Sequence, residues 1–565
     1  MTGIALFFGC YFFSLSFRRT VIFWRSMLPI YAEYKWITKI QKSRLEPHVY
    51  EQVLDDYYHR TATHLVTLMT RLGGMAIKIG QVLATIGQGL LPDPVVVALR
   101  VLHDGVPAKS HDEIVRIFEA SHGKDSLQQA FSWFDPVPLG AASIAQVHLA
   151  RLRHSNETVV VKIQYPEVQK QLSADLWNME MAVTLISPEN KPLAQTLRER
   201  HARELDFRNE AAHLRECTAN MQAHGLEPRI VRIPRVYNQT GLCNKNILVM
   251  EYLEGVSLQR ILSEEQERLA SAMGQASAAD FQRHLSEQLK GAVANTAGGA
   301  QHSGQNPSLP AWMTNPTIQT WGARLFRTYA NFATNMQRAS ATVAHALNPV
   351  TWAPSASRTR NNLAKSNSST TKINLARVLK TLVHVHGLQM LMDGVFNADP
   401  HPGNVLVMPD GRLGLLDYGM VSRFSDDERS KAVETVLALA NKDVERTARI
   451  YTTSGYKAQL RTGGRGILTD PAILHRFATF HWDRIDLSPV TWASTGQTQD
   501  IFQVLQGVIE PSVPKYIEEG RRLGALLMGP HIQTGRLGFS LASSWKSIAE
   551  QAQVQLIQAN ITHNF

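Results

Sequence analysis

The sequence predicts an α+β fold, with strands gathered in two places and helices elsewhere. Three observations lead there. β-prone runs, Thr158–Gln164 and 246–252, fall close together in the first half. Two more short apolar runs, 405–408 and 413–416, flank an Asp410-Gly411 turn and read as a hairpin. Leu65, Leu68, Leu72, Ala76, Ile79 and Leu83 recur at three- and four-residue steps, the spacing of one helix face. At 565 residues and 44% apolar content, the chain can hold two or more domains around a sizeable core.

In chain order, residues 1–17 carry no charge and are rich in Phe and Leu; Arg18 and Arg19 follow, then a second apolar run with Trp24. The first acid is Glu33. That pattern predicts organelle targeting, a signal anchor or a helix in a membrane interface, with Arg and Trp at the boundary. A helix is expected over 50–87, interrupted at Gly73-Gly74 and broken by Pro92 and Pro94, and another over 110–120. Residues 138–148 are small residues running into a strand. A helix is expected over 192–221, a strand over 246–252, then a polar joint at Leu253-Glu254-Gly255. Residues 263–371 shift to Ser, Ala, Asn and Gln and read as a loosely structured insertion. Order returns with a helix over 373–394, another over 426–440, and mostly helix to the end.

The chemistry gathers at 397–419, NADPHPGNVLVMPDGRLGLLDYG. With the turn centred between Asp410 and Gly411, Asn404 falls roughly opposite Asp417, so an amide oxygen and a carboxylate meet at one open end. That suits Mg²⁺, which is usually held by few protein oxygens plus phosphates. Asp399 precedes Asn404 by five residues, the spacing of D-x-x-x-x-N in phosphoryl-transfer loops. Gly140, Ala141, Ala142 and Ser143 make a loop whose backbone N–H groups can approach phosphates. Lys162 follows in a Val-rich strand, placed to contact phosphate oxygens. Glu204, Asp206 and Glu210 are expected on one helix, with Glu210 as the partner of Lys162. Glu251 and Leu253 border the joint where backbone groups could hold adenine.

The formal charge of +10 is local. From Gln288 to Met392 there is no Asp or Glu but ten Lys or Arg residues. This argues against a nucleic-acid-binding face spread over the fold and suits an anionic membrane surface. Cys10, Cys217 and Cys243 are widely spaced, which argues against a disulfide scaffold or a zinc site.

Taken together, Lys78-x-Gly80-Gln81, the alanine-rich loop, Val161-Lys162, Glu204-x-Asp206 with Glu210, N-A-D-P-H-P-G-N and D-Y-G resemble the UbiB/ADCK atypical kinases over roughly 57–451. The resemblance implies a bilobal protein-kinase-like fold with a helical N-terminal extension and a helical C-terminal region. On that reading 1–45 is a targeting or membrane segment, 46–135 the extension, 136–255 the N-lobe, 256–460 the C-lobe with its insertion, and 461–565 the C-terminal helices. It implies ATP or ADP with Mg²⁺ at Asn404 and Asp417, Asp399 as catalytic acid, and Lys162 paired with Glu210. Lys78 and Gln81 would fold over the site, Lys78 meeting Glu204 and Asp206. It also implies ubiquinone or related prenyl-lipid metabolism, enzymes of those pathways as partners, and a mitochondrial inner-membrane or plastid location. The family's His before Ala-Asp is Asn397 here, and after Gly419 there is neither a long activation segment nor A-P-E. Two functions are open: an ATP-dependent kinase or ATPase, and a nucleotide-sensing pseudokinase scaffold.

Overall fold

The structure, a computed structural model, describes residues 14–73, 76–77, 80, 92–103, 108–141, 144–186, 195, 205–238, 241–277, 373–458, 470–484, 490–491, 498–499, 508–509, 514–534 and 539–563. Helix α1 (Leu15–Lys39) and helix α2 (Pro47–Leu72) form the N-terminal extension. α2 ends at Gly73, whose φ of +65° is the left-handed region that glycine tolerates. The helix thus stops at the expected Gly73-Gly74 interruption, and residues 81–87 of the expected stretch lie outside the described residues. α3 (Asp93–Leu99), α4 (His111–His122, capped by Ser110) and α5 (Ser126–Ala130) follow.

Arg19 and Trp24 face protein, which corrects their expected place at a membrane boundary. α1 lies along α6 (Pro166–Ile186). The Arg19 guanidinium binds Asp175 with Nη2 to Oδ2 at 2.5 Å, both side chains buried, and donates to the Leu72 carbonyl at the end of α2. Trp24 Nε1 donates to Asn178 Oδ1 at 3.0 Å. A buried guanidinium needs such partners, and the fold supplies them. Among the described residues, no helix is long and apolar enough to cross a membrane.

The first sheet is antiparallel: β1 (Phe131–Phe134), β3 (Ala145–Leu152), β4 (Thr158–Gln164) and β6 (Ile247–Glu251) in that spatial order, with β2 (Gly140–Ala141) pairing on β3. Val159, Val160, Val161 and Ile163 of β4 are fully buried, as a central strand covered on both faces requires. α7 (Phe207–Ala223) packs near β6. It begins fifteen residues later than the expected 192. Asp206 is its N-cap, with extended backbone and a carboxylate accepting the Arg208 N–H at 3.1 Å. A short Asx side chain that captures the first free N–H groups starts a helix rather than continuing one. Asp206 and Glu210 therefore do not share a helix face as expected.

The second sheet runs β5 (Val231–Arg232), β10 (Leu413–Leu415), β9 (Val405–Val407), β7 (Val256–Ser257). β7 follows the polar joint directly, so the segment leaving the first sheet becomes an edge of the β9–β10 hairpin. Gly255 permits this: a Cβ there would lie 2.9 Å from the Val407 carbonyl oxygen. α8 (Leu258–Ala272) then runs ten residues into the stretch read as insertion. Its buried Leu258, Ile261, Leu262 and Ala270 recur at helical spacing, a signal masked by the polar composition around them.

α9 (Leu375–Gly387) continues as a π-helical turn over 388–393, then Gly394 in the left-handed region and β8 (Val395–Asn397). β8 pairs with β11 (Val421–Arg423), and α10 (Asp426–Ala440) starts three residues later on a Ser425–Glu428 capping box. α11 (Val444–Thr453), β12 (Lys457–Ala458), α12 (Pro471–Trp482), β13 (Val490–Thr491), β14 (Thr498–Gln499), β15 (Val508–Ile509), α13 (Lys515–Gln533) and α14 (Leu541–His563) complete the chain. α14 packs on α10 and α9. Trp545 fills the space left at Gly387, where a Cβ would sit 2.5 Å from its ring, and donates to the Val383 carbonyl at 2.7 Å. The result is a bilobal kinase-like α+β fold.

Candidate active site

Across the first sheet, Gly140, Val147, Lys162 and Leu248 stand in one cross-strand row. The row places the small-residue β2 two strands from Lys162 on the same face. Ala142 and Ser143 lie outside the described residues, as do Lys78, Gln81 and Glu204. Lys162 Nζ reaches both oxygens of Glu210, at 2.9 and 2.8 Å, and sits 5.0 Å from the Phe207 ring centroid. Both side chains are buried, about 6% and 5% exposed. A buried charge persists only with such a partner.

Glu251 is placed away from that pair. Its carboxylate bonds Arg232 and the Arg235 N–H, and its own N–H donates to the Arg235 carbonyl. Leu253 forms a small apolar cluster with Leu406 and Leu416, apart from the main core. It lies at the junction of the two sheets, between β6 and the hairpin. Asp206 is held by Arg208 at 2.6 Å.

The hairpin pairs Leu413 with Val407 and Leu415 with Val405. Met408 N–H donates to Arg412 O, so the turn centres on Asp410 and not on the Asp410–Gly411 bond. A three-residue loop with its last residue, Gly411, at φ +83° sets this register. Asn404 thus stands opposite Leu416, whose N–H donates to the Asn404 carbonyl at 2.9 Å. Asp417 is one residue beyond, still at the open end.

Asn397 joins the two ends of the site. Its Nδ2 donates to the Asp417 carbonyl at 2.7 Å, and its Oδ1 accepts the Asp399 N–H at 2.8 Å. An amide side chain offers donor and acceptor together, so Asn397 ties Asp399 to D-Y-G. Gln389, in the π-helical turn, accepts the Asn397 N–H at 3.3 Å and donates to the buried Tyr418 hydroxyl at 3.1 Å. His401 is buried, its Nδ1 accepting the Gly403 N–H at 2.9 Å, and burial pushes it down to about 3. It is a neutral strut of the loop. Asp399 and Asp417 are each half-buried.

The residues present fit Mg²⁺. Asn404 Oδ1 is buried with no hydrogen-bond partner, a cost that a bound cation would relieve. Among the described residues no three His, Cys, Asp or Glu side chains converge as a metal cage. One amide oxygen and one carboxylate are the sparse set a cation shared with phosphates uses.

Sequence reasoning missed the ties that α7 makes below Glu210. A Cβ on Gly419 would be 3.9 Å from Glu210 Oε2. His213 Nδ1 donates to the Tyr418 carbonyl at 3.0 Å, Arg423 forks onto Glu216, and His224 meets Asp393 at 2.7 Å. His213 and Glu210 are three residues apart, so this shared face was readable from spacing. The ties from Arg522 and Glu519 had no such signal, since residues 461–565 showed no chemistry-bearing cluster. Arg522 donates twice to the Ala398 carbonyl, at 2.9 and 2.5 Å, and Glu519 accepts from Ser422 at 2.7 Å.

The ABC1 atypical kinase-like domain matches residues 101–286 and 356–451. AarF domain-containing protein kinase 1 of Xenopus laevis is 32% identical over 227 residues, 39% of this chain and 42% of that protein. The protein of the same name in Mus musculus is 34% identical over the same shares. An uncharacterized, chloroplastic aarF domain-containing protein kinase of Arabidopsis thaliana is 32% identical over 203 residues, 34% of this chain and 37% of that protein. This chain thus matches less than half the length of these relatives. A Mycobacterium tuberculosis protein solved with erythromycin overlays with a TM-score of 0.42 at 19% identity, over 88% of this chain and 97% of that one. With the Lys162–Glu210 pair next to Gly419 of D-Y-G, and that match over both lobes, the chain belongs to the UbiB/ADCK branch of ABC1 atypical kinases.

Proposed function

We propose that this protein is a membrane-associated atypical kinase or ATPase that binds ATP with Mg²⁺ and supports ubiquinone biosynthesis or related prenyl-lipid homeostasis. The observation that carries the nucleotide reading is the simultaneous presence of Lys162–Glu210 and the D-Y-G tie through Asn397. Both must be in place for phosphoryl transfer in kinase-like sites. Lys162, aimed by Glu210, would offer its ammonium to phosphate oxygens, with Gly140, Ala141, Ala142 and Ser143 supplying backbone N–H groups. Leu253, Leu406 and Leu416 offer an apolar floor for adenine beside the 251–253 joint. Asn404 and Asp417 would hold Mg²⁺, which supplies charge neutralisation at the phosphates. Asp399, fixed through its N–H, orients the acceptor hydroxyl or water. Lys78 and Gln81 would close over this cleft, Lys78 meeting Glu204 and Asp206.

β11 passes into the capped α10 with no activation segment between. This favours a small or lipid-borne acceptor, or water, over a docked peptide. It also keeps alive the pseudokinase scaffold as a second reading. Membrane association is supported by the outer face of α1, where Arg18, Arg25 and Lys39 are exposed with Leu28 (54%) and Trp36 (51%). Basic side chains beside an exposed Trp and Leu suit an anionic lipid surface. The relatives' names, one of them chloroplastic, fit an organelle; we place the protein at the mitochondrial inner membrane, with the plastid as alternative, near quinone- or prenyl-lipid-modifying enzymes and away from nucleic acid.

The test is ADP and phosphate release by the full chain, with and without liposomes containing anionic lipid. We expect Mg²⁺-dependent release, raised by the liposomes and lowered about 100-fold or more in Asp417→Asn. Nucleotide binding without turnover under any lipid condition would defeat the enzyme reading and leave the scaffold.

A further inference from the structure

Helix α13 lies outside the stretches that match the kinase-like domain, 101–286 and 356–451. It nevertheless lays three polar side chains along the β8–β11 ribbon and the start of the loop that carries Asp399. Lys515 donates to the Arg423 carbonyl, Glu519 accepts from the Ser422 hydroxyl at 2.7 Å, and Arg522 donates through Nε and Nη2 to the Ala398 carbonyl at 2.9 and 2.5 Å. Positions 515, 519 and 522 follow the i, i+4, i+7 spacing of one helix face. Their targets are β11 and the residue after β8, the two-stranded ribbon that carries Asn397. Glu519 is only 1% exposed, so this is a built contact and not a surface encounter.

We infer that Arg522 is a positioning residue for the phosphoryl-transfer loop, and that α13 does the work an activation segment would otherwise do. The inference rests on the nucleotide reading above and deepens it. Ala398 is pinned through both of the peptides that flank it. Its N–H donates to the Met420 carbonyl at 3.0 Å, and its C=O takes both Arg522 bonds. The carbonyl of Ala398 and the N–H of Asp399 belong to one peptide plane, and that N–H is held by Asn397. Turning this plane would swing the Asp399 carboxylate. A charged donor bound twice to one carbonyl resists that rotation more strongly than a neutral bond. Glu519 and Lys515 hold the opposite strand of the ribbon, so Asn397 and the D-Y-G end keep their spacing.

The experiment uses the full chain with Arg522→Ala, Arg522→Lys and, as control on the exposed side of α13, Arg521→Ala. Hydrogen exchange of the Asp399 amide, in the peptide plane that Arg522 holds, is read first, because it needs no activity. We expect it to quicken about tenfold or more in Arg522→Ala. ADP release should fall roughly 10- to 100-fold while the ATP dissociation constant stays within about twofold. Arg522→Lys, which keeps one charged donor, should recover part of both, and Arg521→Ala should match wild type. Unchanged exchange at Asp399, or a loss of affinity and turnover together with the melting temperature, would overturn the inference. Wild-type protein that binds no Mg²⁺–nucleotide would sink the functional reading alone, leaving the exchange result to judge Arg522.

Discussion

Lys162 shows at the scale of one residue how a site can be legible before it is seen. A Lys in a run of Val has no cause to be central in a sheet unless an acid meets it, and Glu210 does so at 2.8 Å. Breaking such a pair from one side strands a buried charge and costs about 3–5 kcal/mol. Lys162→Met should therefore lower the melting temperature markedly, and Lys162→Met with Glu210→Gln should recover most of it. Neither should bind ATP at wild-type strength. Recovery of affinity in the double variant, by thermal shift and titration, would contradict the assigned role. Asn397 shows the opposite case. Read as a departure from the family's His, it supplies both bonds that join Asp399 to Asp417. The sequence offered the residue type but not its two partners, which lie two and twenty positions away.

At the scale of elements, strand β4 matches its expected bounds, and α10 starts on the expected acids. Period and capping are local and survive folding. The start of α7, the hairpin register and the extent of α8 did not follow. Each depended on one local geometry: the Asp206 cap, the Gly411 φ, and an amphipathic face within polar composition. β3 carries a further consequence. His148 is buried, its Nδ1–H donating to the Asp135 carbonyl at 2.7 Å and its Nε2 accepting from Gln146 at 2.8 Å. Burial first, with nearby His111, pushes it down to about 4 against the Asp135 carbonyl. The folded value lies below the unfolded 6.5, so the unfolded chain takes the proton first. Stability from the neutral ring is complete above about pH 6.5 and is lost as pH falls toward 4. Melting temperature should drop over that window, and His148→Gln should show a shallower drop. Parallel curves would refute this.

For the whole molecule, the two lobes are joined both by the 251–256 joint and by α7 with its C-cap, whose Glu210, His213, Glu216 and His224 each reach the C-lobe side. The C-terminal helices complete the support, through Trp545 at Gly387 and Arg522 at Ala398. The motifs of the cleft were readable because their chemistry is concentrated in short strings. The support was not, because it comes from residues about ninety or more positions away whose types are ordinary. Under the proposed function, Asn404 and Asp417 should make nucleotide binding depend on Mg²⁺. Titration calorimetry of ATP into the full chain, with Mg²⁺ and with a chelator, tests it directly. Wild type should bind about tenfold or more tightly with Mg²⁺, near 1.4 kcal/mol. Asp417→Asn and Asn404→Ala should lose that difference while keeping the weaker, Mg²⁺-free affinity. Equal affinity with and without Mg²⁺ in the wild type would contradict the claim.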